Sequence, residues 1–208
     1  MSKNIIRHIW FDFSGTLAFL KLERHNRLRY ESYANVMGKP VTEGLMNDYE
    51  KLFKQCNGSN ASVFRSLGQS SNFWSEQVNK VDPVELYELS ASNVPAILKQ
   101  IKEHRAISLF SNIEVVNILP ALGIDPLLFT NILSAGMVKE PKPALDGFHK
   151  LVELSGVPAN EILYIGDSEV KDIMPAKAVG MQTAMMWQKS AAANHSFEKF
   201  EEILDFLE

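Results

Sequence analysis

The chain has 208 residues, 46 % of them hydrophobic, which is enough to bury one α/β core together with an insertion or small second domain. Its formal net charge of -4 gives no general attraction to nucleic acid or to an anionic membrane, so we expect neither partner. The single cysteine, Cys56, excludes an internal disulfide framework, and the first residues lack the apolar region of a signal peptide, so we expect a cytoplasmic protein.

Short apolar runs that end on a small or acidic polar residue predict buried parallel strands. In chain order they cover residues 5–13, 106–112, 128–135, 161–167 and 182–187, of which 128–135 and 182–187 are the weaker ones. Helical periodicity predicts helices over residues 115–122, 145–154, 170–179 and 196–208. The alternation of strands and helices predicts a Rossmann-like α/β core, a doubly wound parallel sheet covered on both faces.

The long interval after the first predicted strand, residues 18–93, has a helical and amphipathic pattern and is too long for a loop. We therefore predict a helical unit over residues 18–93, inserted into a core made of residues 1–17 and 94–208. Its second boundary is expected where Ser92 or Asn93 caps a helix that carries Pro95 in the first turn.

Polar side chains stand where the predicted strands end. They are Asp12, Ser111, Asn112 and Asp167, and Lys142 joins them from the segment before the helix at 145. Because the carboxyl ends of parallel strands share one edge, we expect these groups to converge there. A cation and an anionic substrate would offset the repulsion in such a group, and Mg²⁺ with a phosphoryl group fits it. Asp12 could then act as a nucleophile, and Gly15 lets the backbone bend around the ligand.

Four segments resemble the motifs of the haloacid dehalogenase-like (HAD) hydrolases and occur in that family's order. They are FDFSGTL (11–17), ISLFSN (107–112), KPALDGF (142–148) and YIGDSEVKDIMPAKAVGM (164–181). The interval between the first two motifs resembles the α-helical C1 cap of one subgroup. The resemblance implies a Mg²⁺-dependent phosphatase that hydrolyses small phosphate monoesters through an aspartyl-phosphate on Asp12.

The resemblance also implies roles for individual residues. Thr16 and Ser111 would orient the nucleophile and bind phosphate, with Gly15 and Asn112 in the substrate-binding set. Lys142 would neutralise the phosphoryl group, with Lys139 as the alternative lysine. The implied metal ligands are Asp12, the backbone carbonyl of Ser14 and Asp167, with Asp172 supporting them.

The basic stretch of residues 21–29 begins the predicted cap. One of its cations, for which Arg24 is the candidate, could bind the distal anionic part of a substrate. The alternative interpretation is a solvated helix face, which the three-residue spacing of Lys21, Arg24 and Arg27 also suits.

Ser14 stands where most phosphatases of this family have an acid that protonates the leaving group. Serine cannot do so at neutral pH, and general acid–base catalysis is worth about 10²- to 10⁴-fold, so we expect slow hydrolysis. The alternatives are a weak or inactive member that binds a phosphorylated ligand or a protein partner, and a dehalogenase-like or phosphonate-type hydrolase. The expected substrate is a small phosphorylated metabolite, and the expected assembly is a monomer or homodimer.

Overall fold

Within residues 6–207, the range that the computed structural model describes, the chain forms eight β-strands. They are β1 (His8–Phe11), β2 (Ala18–Leu20), β3 (Tyr87–Leu89), β4 (Ala106–Ser111), β5 (Ile132–Ser134), β6 (Ile162–Gly166), β7 (Gln182–Met186) and β8 (His195–Phe197). Six of them build a parallel sheet in the order β5-β4-β1-β6-β7-β8. This arrangement confirms the predicted Rossmann-like α/β core.

The strand β1 lies at the centre of the sheet, which explains its continuous apolar run. All four of its residues are buried, and it pairs with β4 on one side and β6 on the other. Phe11 is level with Leu109 of β4 and with Ile165 of β6. The carboxyl ends of the three strands are therefore adjacent, and the residues that follow them share one edge of the sheet.

Nine α-helices lie within the same described range. They are α1 (Leu22–Met37), α2 (Glu43–Gln55), α3 (Asn60–Ser66), α4 (Phe73–Val78), α5 (Pro83–Leu86), α6 (Val94–His104), α7 (Leu145–Ser155), α8 (Met174–Ala178) and α9 (Glu202–Leu207). None of them is both long and apolar enough to cross a bilayer. The helices α1–α5 follow one another between β2 and β3, and we call residues 22–86 the helical segment.

The interval predicted as helical also contains two strands. Ala18–Leu20 and Tyr87–Leu89 pair as a two-stranded antiparallel ribbon at the start and end of the helical segment. Inside the segment, the ring of the fully buried Tyr49 packs against the rings of Tyr30, Tyr33, Phe53 and Phe64. These aromatic contacts pack the helices together, and the cluster is continuous with the apolar residues of β1 and β4. The division into a core and a cap at residues 17/18 and 93/94 stays a prediction.

Each predicted strand contains an observed one, although residue 5 of the first run lies outside the described range. The predicted helix over 145–154 is confirmed as α7. At the start of α6, Asn93 occupies the capping position without a side-chain hydrogen bond, and a proline lies in the first turn as predicted.

The predicted helix over residues 115–122 is wrong, since only Pro120–Leu122 forms a single 3₁₀ turn. The carboxylate of Glu114 accepts hydrogen bonds from the backbone N–H groups of Val115 and Val116. These two N–H groups would lie in the first turn of a helix and need no helical partner, so the break comes from Pro120, which lacks the N–H that a helix over 115–122 requires there. Val115, Ile118 and Leu119 are nevertheless buried, which explains why the sequence pattern resembled a helix.

Two further predicted helices differ from the prediction, one in its winding and the other in its length. The one over 170–179 consists of a π turn, Glu169–Ile173, followed by α8. The one over 196–208 begins in the sixth strand of the sheet, β8, and is helical only in α9, while Glu208 lies outside the described range. Residues 195–197 form the strand β8 because they pair with the free edge of β7. This pairing satisfies backbone groups of β7 that a helix there would leave unpaired.

Candidate active site

A buried ammonium group holds two carboxylates together at the carboxyl ends of β1 and β6. The Nζ of Lys142 donates hydrogen bonds to Oδ1 of Asp12 at 2.6 Å and to Oδ1 of Asp172 at 2.7 Å. The hydroxyl of Tyr164 lies 3.0 Å from the same nitrogen and the carbonyl of Phe110 lies 3.3 Å from it. These four acceptors outnumber the three hydrogens of an ammonium group, so the protein itself uses every donor of Lys142.

Burial and pairing act in opposite directions on the ionisation of this cluster. Burial lowers the pKa of Lys142, but the charges of Asp12 and Asp172 outweigh it and hold that pKa well above its usual value. Burial raises the pKa of Asp12, Lys142 opposes this rise, and Asp172 adds to it. Asp12 therefore depends on the neighbouring ammonium to remain ionised, as a carboxylate nucleophile must be.

Asp167 directly follows β6 and faces the same cluster without a cation of its own. One carboxylate oxygen from each of Asp12, Asp167 and Asp172 lies within 4.8 Å of the others. Oδ1 of Asp167 is buried and has no hydrogen-bond partner among the described residues. Burial raises the pKa of Asp167 to about 7, and the charges of Asp12 and Asp172 contribute to the rise.

These observations test whether the site suits a divalent metal ion. An unpartnered buried carboxylate oxygen beside two other carboxylates lacks a compensating positive charge. Oxygen ligands of this kind suit Mg²⁺, so the residues fit the ion that the sequence predicts. Asp172 differs from the other two, because its oxygens accept hydrogen bonds from Lys142, from Tyr164 and from the backbone N–H of Ser168. Its contacts favour a role in positioning Lys142.

The π turn after β6 brings Asp172 back toward the sheet edge. Ser168 begins this turn, and its hydroxyl accepts a hydrogen bond from the backbone N–H of Lys171 at 3.2 Å. A Cβ atom on Gly166 would lie 2.5 Å from the Cβ of Asp172, so only glycine allows this close approach. The wider winding of a π turn is common at functional sites, and here it directs Asp172 and Lys171 to the site.

The conformation of the loop after β1 explains why its motif contains a glycine. Gly15 has a φ of +93°, which disfavours residues with a side chain, and its Cβ would lie 2.2 Å from Oδ2 of Asp167. Ser14 is half-buried and its side chain interacts with the hydroxyl of Tyr87. Thr16 is fully buried, and its hydroxyl has no hydrogen-bond partner among the described residues. The loop therefore brings the backbone of residues 14–16 against the carboxylates.

The acidic cluster opens into a cavity of about 420 Å³ between the sheet edge and the helical segment. The sheet side contributes Asp12, Ser14, Ser111, Lys142 and Lys171. The helical segment contributes His25, Arg29, Asn60 and Trp74, among others. A volume of this size accommodates a small metabolite.

Asn112 fixes the loop that carries Lys142. Its Oδ1 accepts a hydrogen bond from the backbone N–H of Lys142 at 2.8 Å, and its Nδ2 donates to the carbonyl of Lys142 at 3.0 Å. The same Nδ2 also reaches the hydroxyl of Ser59, in the helical segment, at 3.2 Å. Ser111 lines the cavity, and its hydroxyl accepts a hydrogen bond from the backbone N–H of Ile113. Both residues thus reach the site predicted for them, with Asn112 engaged mainly by protein groups.

The sequence left open the choice between Lys142 and Lys139 and the role of the basic stretch 21–29. These groups lie in different places in the structure. Lys142 lies inside the cluster, whereas Lys139 is exposed and only its backbone N–H bonds to Asp146. Arg24 forms an ion pair with Glu85 at 3.0 Å and is not among the residues that line the cavity. The structure therefore does not bring Arg24 to the other candidate residues.

Arg29 lines the cavity and was not singled out by the sequence. Its Nη2 donates to Glu50 at 2.6 Å, its guanidinium lies 4.9 Å from the ring centroid of Phe53, and its buried Nε has no described partner. Burial, together with the charge of Arg29, lowers the pKa of His25 to about 4, so His25 is neutral at pH 7. Tyr164 and Lys171 are two further site residues that the sequence did not predict. Their positions near Gly166 and Asp172 were the available signal.

The comparison with known proteins gives matches to families and to solved structures. The sequence profile described as haloacid dehalogenase-like hydrolase matches residues 9–186. A HAD phosphatase from Thermococcus onnurineus is similar in fold, with a TM-score of 0.73 and 17 % identity over 97 % of this chain and 98 % of that one. No curated protein matches the sequence significantly.

Two other solved structures cover almost the whole chain. A predicted phosphoglycolate phosphatase from Haemophilus somnus 129PT gives a TM-score of 0.69 at 21 % identity, covering 98 % of both chains. The HAD-type protein YfnB from Bacillus subtilis, bound to magnesium, gives 0.65 at 15 % identity, covering 98 % of this chain and 99 % of that one. These TM-scores establish a shared fold. Because the family profile spans most of the sequence and includes all four sheet-edge motifs, the chain belongs to the haloacid dehalogenase-like hydrolases.

Proposed function

We propose that this hydrolase is a Mg²⁺-dependent phosphatase that acts on small phosphate monoesters through an aspartyl-phosphate on Asp12. The supporting observation is the pairing of the buried Asp12 with Lys142 beside an Asp167 carboxylate that lacks a partner among the described residues. This arrangement keeps one carboxylate ionised as a nucleophile and leaves another free to ligate a cation. The fold is shared with phosphatases, which agrees with this proposal.

In this mechanism the two oxygens of Asp12 have different tasks. Oδ1 is held by Lys142, so Oδ2 is the oxygen that attacks phosphorus while the ester bond to the leaving oxygen breaks. Water then attacks the aspartyl-phosphate, which releases inorganic phosphate and restores the carboxylate. Asp12, Asp167 and the backbone carbonyl of Ser14 would hold Mg²⁺, which when bound offsets the charge of the phosphoryl oxygens.

The side chain at position 14 limits the rate in this proposal. The Ser14 hydroxyl cannot protonate an alkoxide leaving group at neutral pH, so esters with acidic leaving groups should react best. We expect p-nitrophenyl phosphate to be hydrolysed slowly in Mg²⁺ and alkyl phosphates more slowly still. Replacing Ser14→Asp should raise the rate on alkyl phosphates by about tenfold or more, since an acid is restored.

The test is a panel of phosphorylated metabolites together with p-nitrophenyl phosphate, each assayed with Mg²⁺ and with a chelator. Asp12→Asn serves as the control, because it retains the size of the side chain but removes the nucleophile. If the wild-type protein and Ser14→Asp both fail to turn over any phosphate ester, the phosphatase proposal is wrong. Binding of a phosphorylated metabolite without turnover would instead favour a ligand-binding role, which the serine at position 14 makes the second candidate.

A further inference from the structure

The paired side chains of the cluster leave a substrate phosphate without a free cationic side chain as its partner. Asp12, Asp167 and Asp172 bring three negative charges when ionised, and Lys142 returns one positive charge. A divalent metal ion would bring this group to neutrality. A phosphate dianion that then enters adds two negative charges. Lys142 cannot donate to it without giving up a hydrogen bond, because four protein acceptors already surround its three hydrogens.

Lys171 is the lysine that remains on the sheet side of the cavity. It is half-buried, lines the same cavity as Asp12 and Ser14, and its ammonium group pairs with no residue in the range 6–207. Its backbone is held in the π turn by the hydroxyl of Ser168. Burial raises the pKa of both Asp12 and Asp167, and the charge of Lys171 is near enough to oppose that rise in each.

The other basic groups around the cavity are less suited to this task. Arg29 lies across the cavity in the helical segment and already pairs with Glu50 at 2.6 Å. His25 is buried in an uncharged state, so it supplies no positive charge. Lys171 therefore combines a free charge with a place on the nucleophile's side of the cavity.

We infer that Lys171 binds the phosphate group of the substrate by a charge-assisted hydrogen bond to a phosphoryl oxygen, while Lys142 holds the nucleophile Asp12. This inference rests on the proposed phosphatase function and gives to Lys171 a part of the phosphoryl binding that the resemblance assigns to Lys142. It adds a substrate-contacting residue, located in the π turn, to the residues to which the resemblance gives a role.

The experiment measures the binding of inorganic phosphate by isothermal titration calorimetry in the presence of Mg²⁺. Lys171→Met should weaken phosphate binding about 10- to 100-fold, because a hydrogen bond to a charged group is lost. Lys171→Arg should retain most of the affinity. Lys177→Met is the matched control, since Lys177 belongs to the following helix, is exposed, and donates only to the carbonyl of Ala192.

A second titration, with Mg²⁺ alone, separates substrate binding from a structural role. Removing a positive charge near Asp167 should leave the affinity for Mg²⁺ unchanged or increase it. A variant that was merely misfolded would lose affinity for both ligands, and that result for Lys171→Met would overturn the inference.

The outcomes also distinguish this inference from the proposed function. If Lys171→Met binds phosphate as tightly as the wild-type protein does, the inference is wrong, although turnover of p-nitrophenyl phosphate would still support a phosphatase. If the wild-type protein neither binds phosphate nor hydrolyses any ester, both fail together. A loss confined to phosphate binding in Lys171→Met, rescued by Lys171→Arg, supports the inference.

Discussion

The substitution Lys142→Met removes the positive charge that pairs with both Asp12 and Asp172 in the acidic cluster. Methionine has a similar length and fills the space, but Asp12 and Asp172 then face each other, and Asp167, without the ammonium. The side chains of the three paired residues are at most 9 % exposed, so water cannot replace the lost contact. Breaking a buried ion pair by removing one partner costs about 3 to 5 kcal/mol, and here one ammonium serves two carboxylates. We expect a loss of about 4 kcal/mol in the free energy of unfolding at pH 8.

The loss should depend on pH in a direction that follows from Asp12. Without Lys142 the pKa of Asp12 in the folded protein rises further above its unfolded value, which is near 3.9. A carboxyl group whose folded pKa is raised stabilises the fold below its unfolded pKa, and this contribution is lost as the pH rises through the folded pKa. The penalty should therefore grow by about 1.4 kcal/mol per pH unit between those two values.

Urea unfolding followed by circular dichroism, at pH 5 and pH 8 with a chelator present, measures this effect. Lys139→Met is the control, because Lys139 is an exposed lysine three residues before Lys142 and should change stability by less than about 0.5 kcal/mol. Adding Asp12→Asn to Lys142→Met should recover part of the loss at pH 8, since the unpaired charge is gone. A loss below about 1 kcal/mol at pH 8, or an equal loss at both pH values, would refute the reasoning.

Three further predictions concern residues around the same cavity. Gly15→Ala should lower the affinity for Mg²⁺, measured by calorimetry, by about tenfold or more. The new Cβ would lie 2.2 Å from Oδ2 of Asp167, so this carboxylate would have to move. His25→Gln should reduce the loss of stability in urea unfolding as the pH falls from 6.5 to 4. The depressed pKa of His25, about 4, makes protonation oppose folding in that range, by about 3 kcal/mol in total. Asn112→Ala should lower stability by about 1 to 3 kcal/mol and also raise KM in phosphatase assays, since the amide joins the lysine-bearing loop to Ser59.

Each of these predictions has a control and an outcome that contradicts it. Gly38→Ala has the same kind of positive φ with nothing within 4 Å, so it shows the backbone effect alone, and an equal loss of Mg²⁺ affinity there would reject the steric reason. His149 is exposed, so His149→Gln should keep the wild-type pH profile, and a wild-type profile in His25→Gln would contradict the burial argument. Ser59→Ala removes one contact of Asn112 but also the N-cap of α3, so the comparison with Asn112→Ala is made on KM, which should rise less in Ser59→Ala.

The carboxyl ends of the strands were the most predictable part of the site. Asp12 and Asp167 are far apart in sequence, but parallel strands bring them to one edge, and the structure places both there with Lys142. Buried parallel strands need apolar side chains on both faces, which left a continuous signal in the sequence. A single sequence therefore predicts buried parallel strands, and the residues that follow them, well.

Contacts that depend on loop geometry could not be predicted in the same way. Lys171 reaches the cavity because a π turn, not an α-helical one, follows Ser168, and no local pattern distinguishes the two windings. The side chain of Glu114 accepts hydrogen bonds from the two following backbone N–H groups, a local contact that the apolar spacing did not indicate. Arg29 and Arg24 lie on the same helix, and only the packing of that helix decides which of them faces the cavity.

The central position of β1 has a consequence for the order in which the chain folds. His8 pairs with Ala106 on one side and with Ile162 on the other, so both of its neighbours come from much later in the chain. Closing loops of that length is slow, whereas α1–α5 need only contacts between nearby residues. We therefore expect the helices to form early and the first strand to wait, exposed, until β6 arrives, which makes it the segment most in need of protection against aggregation.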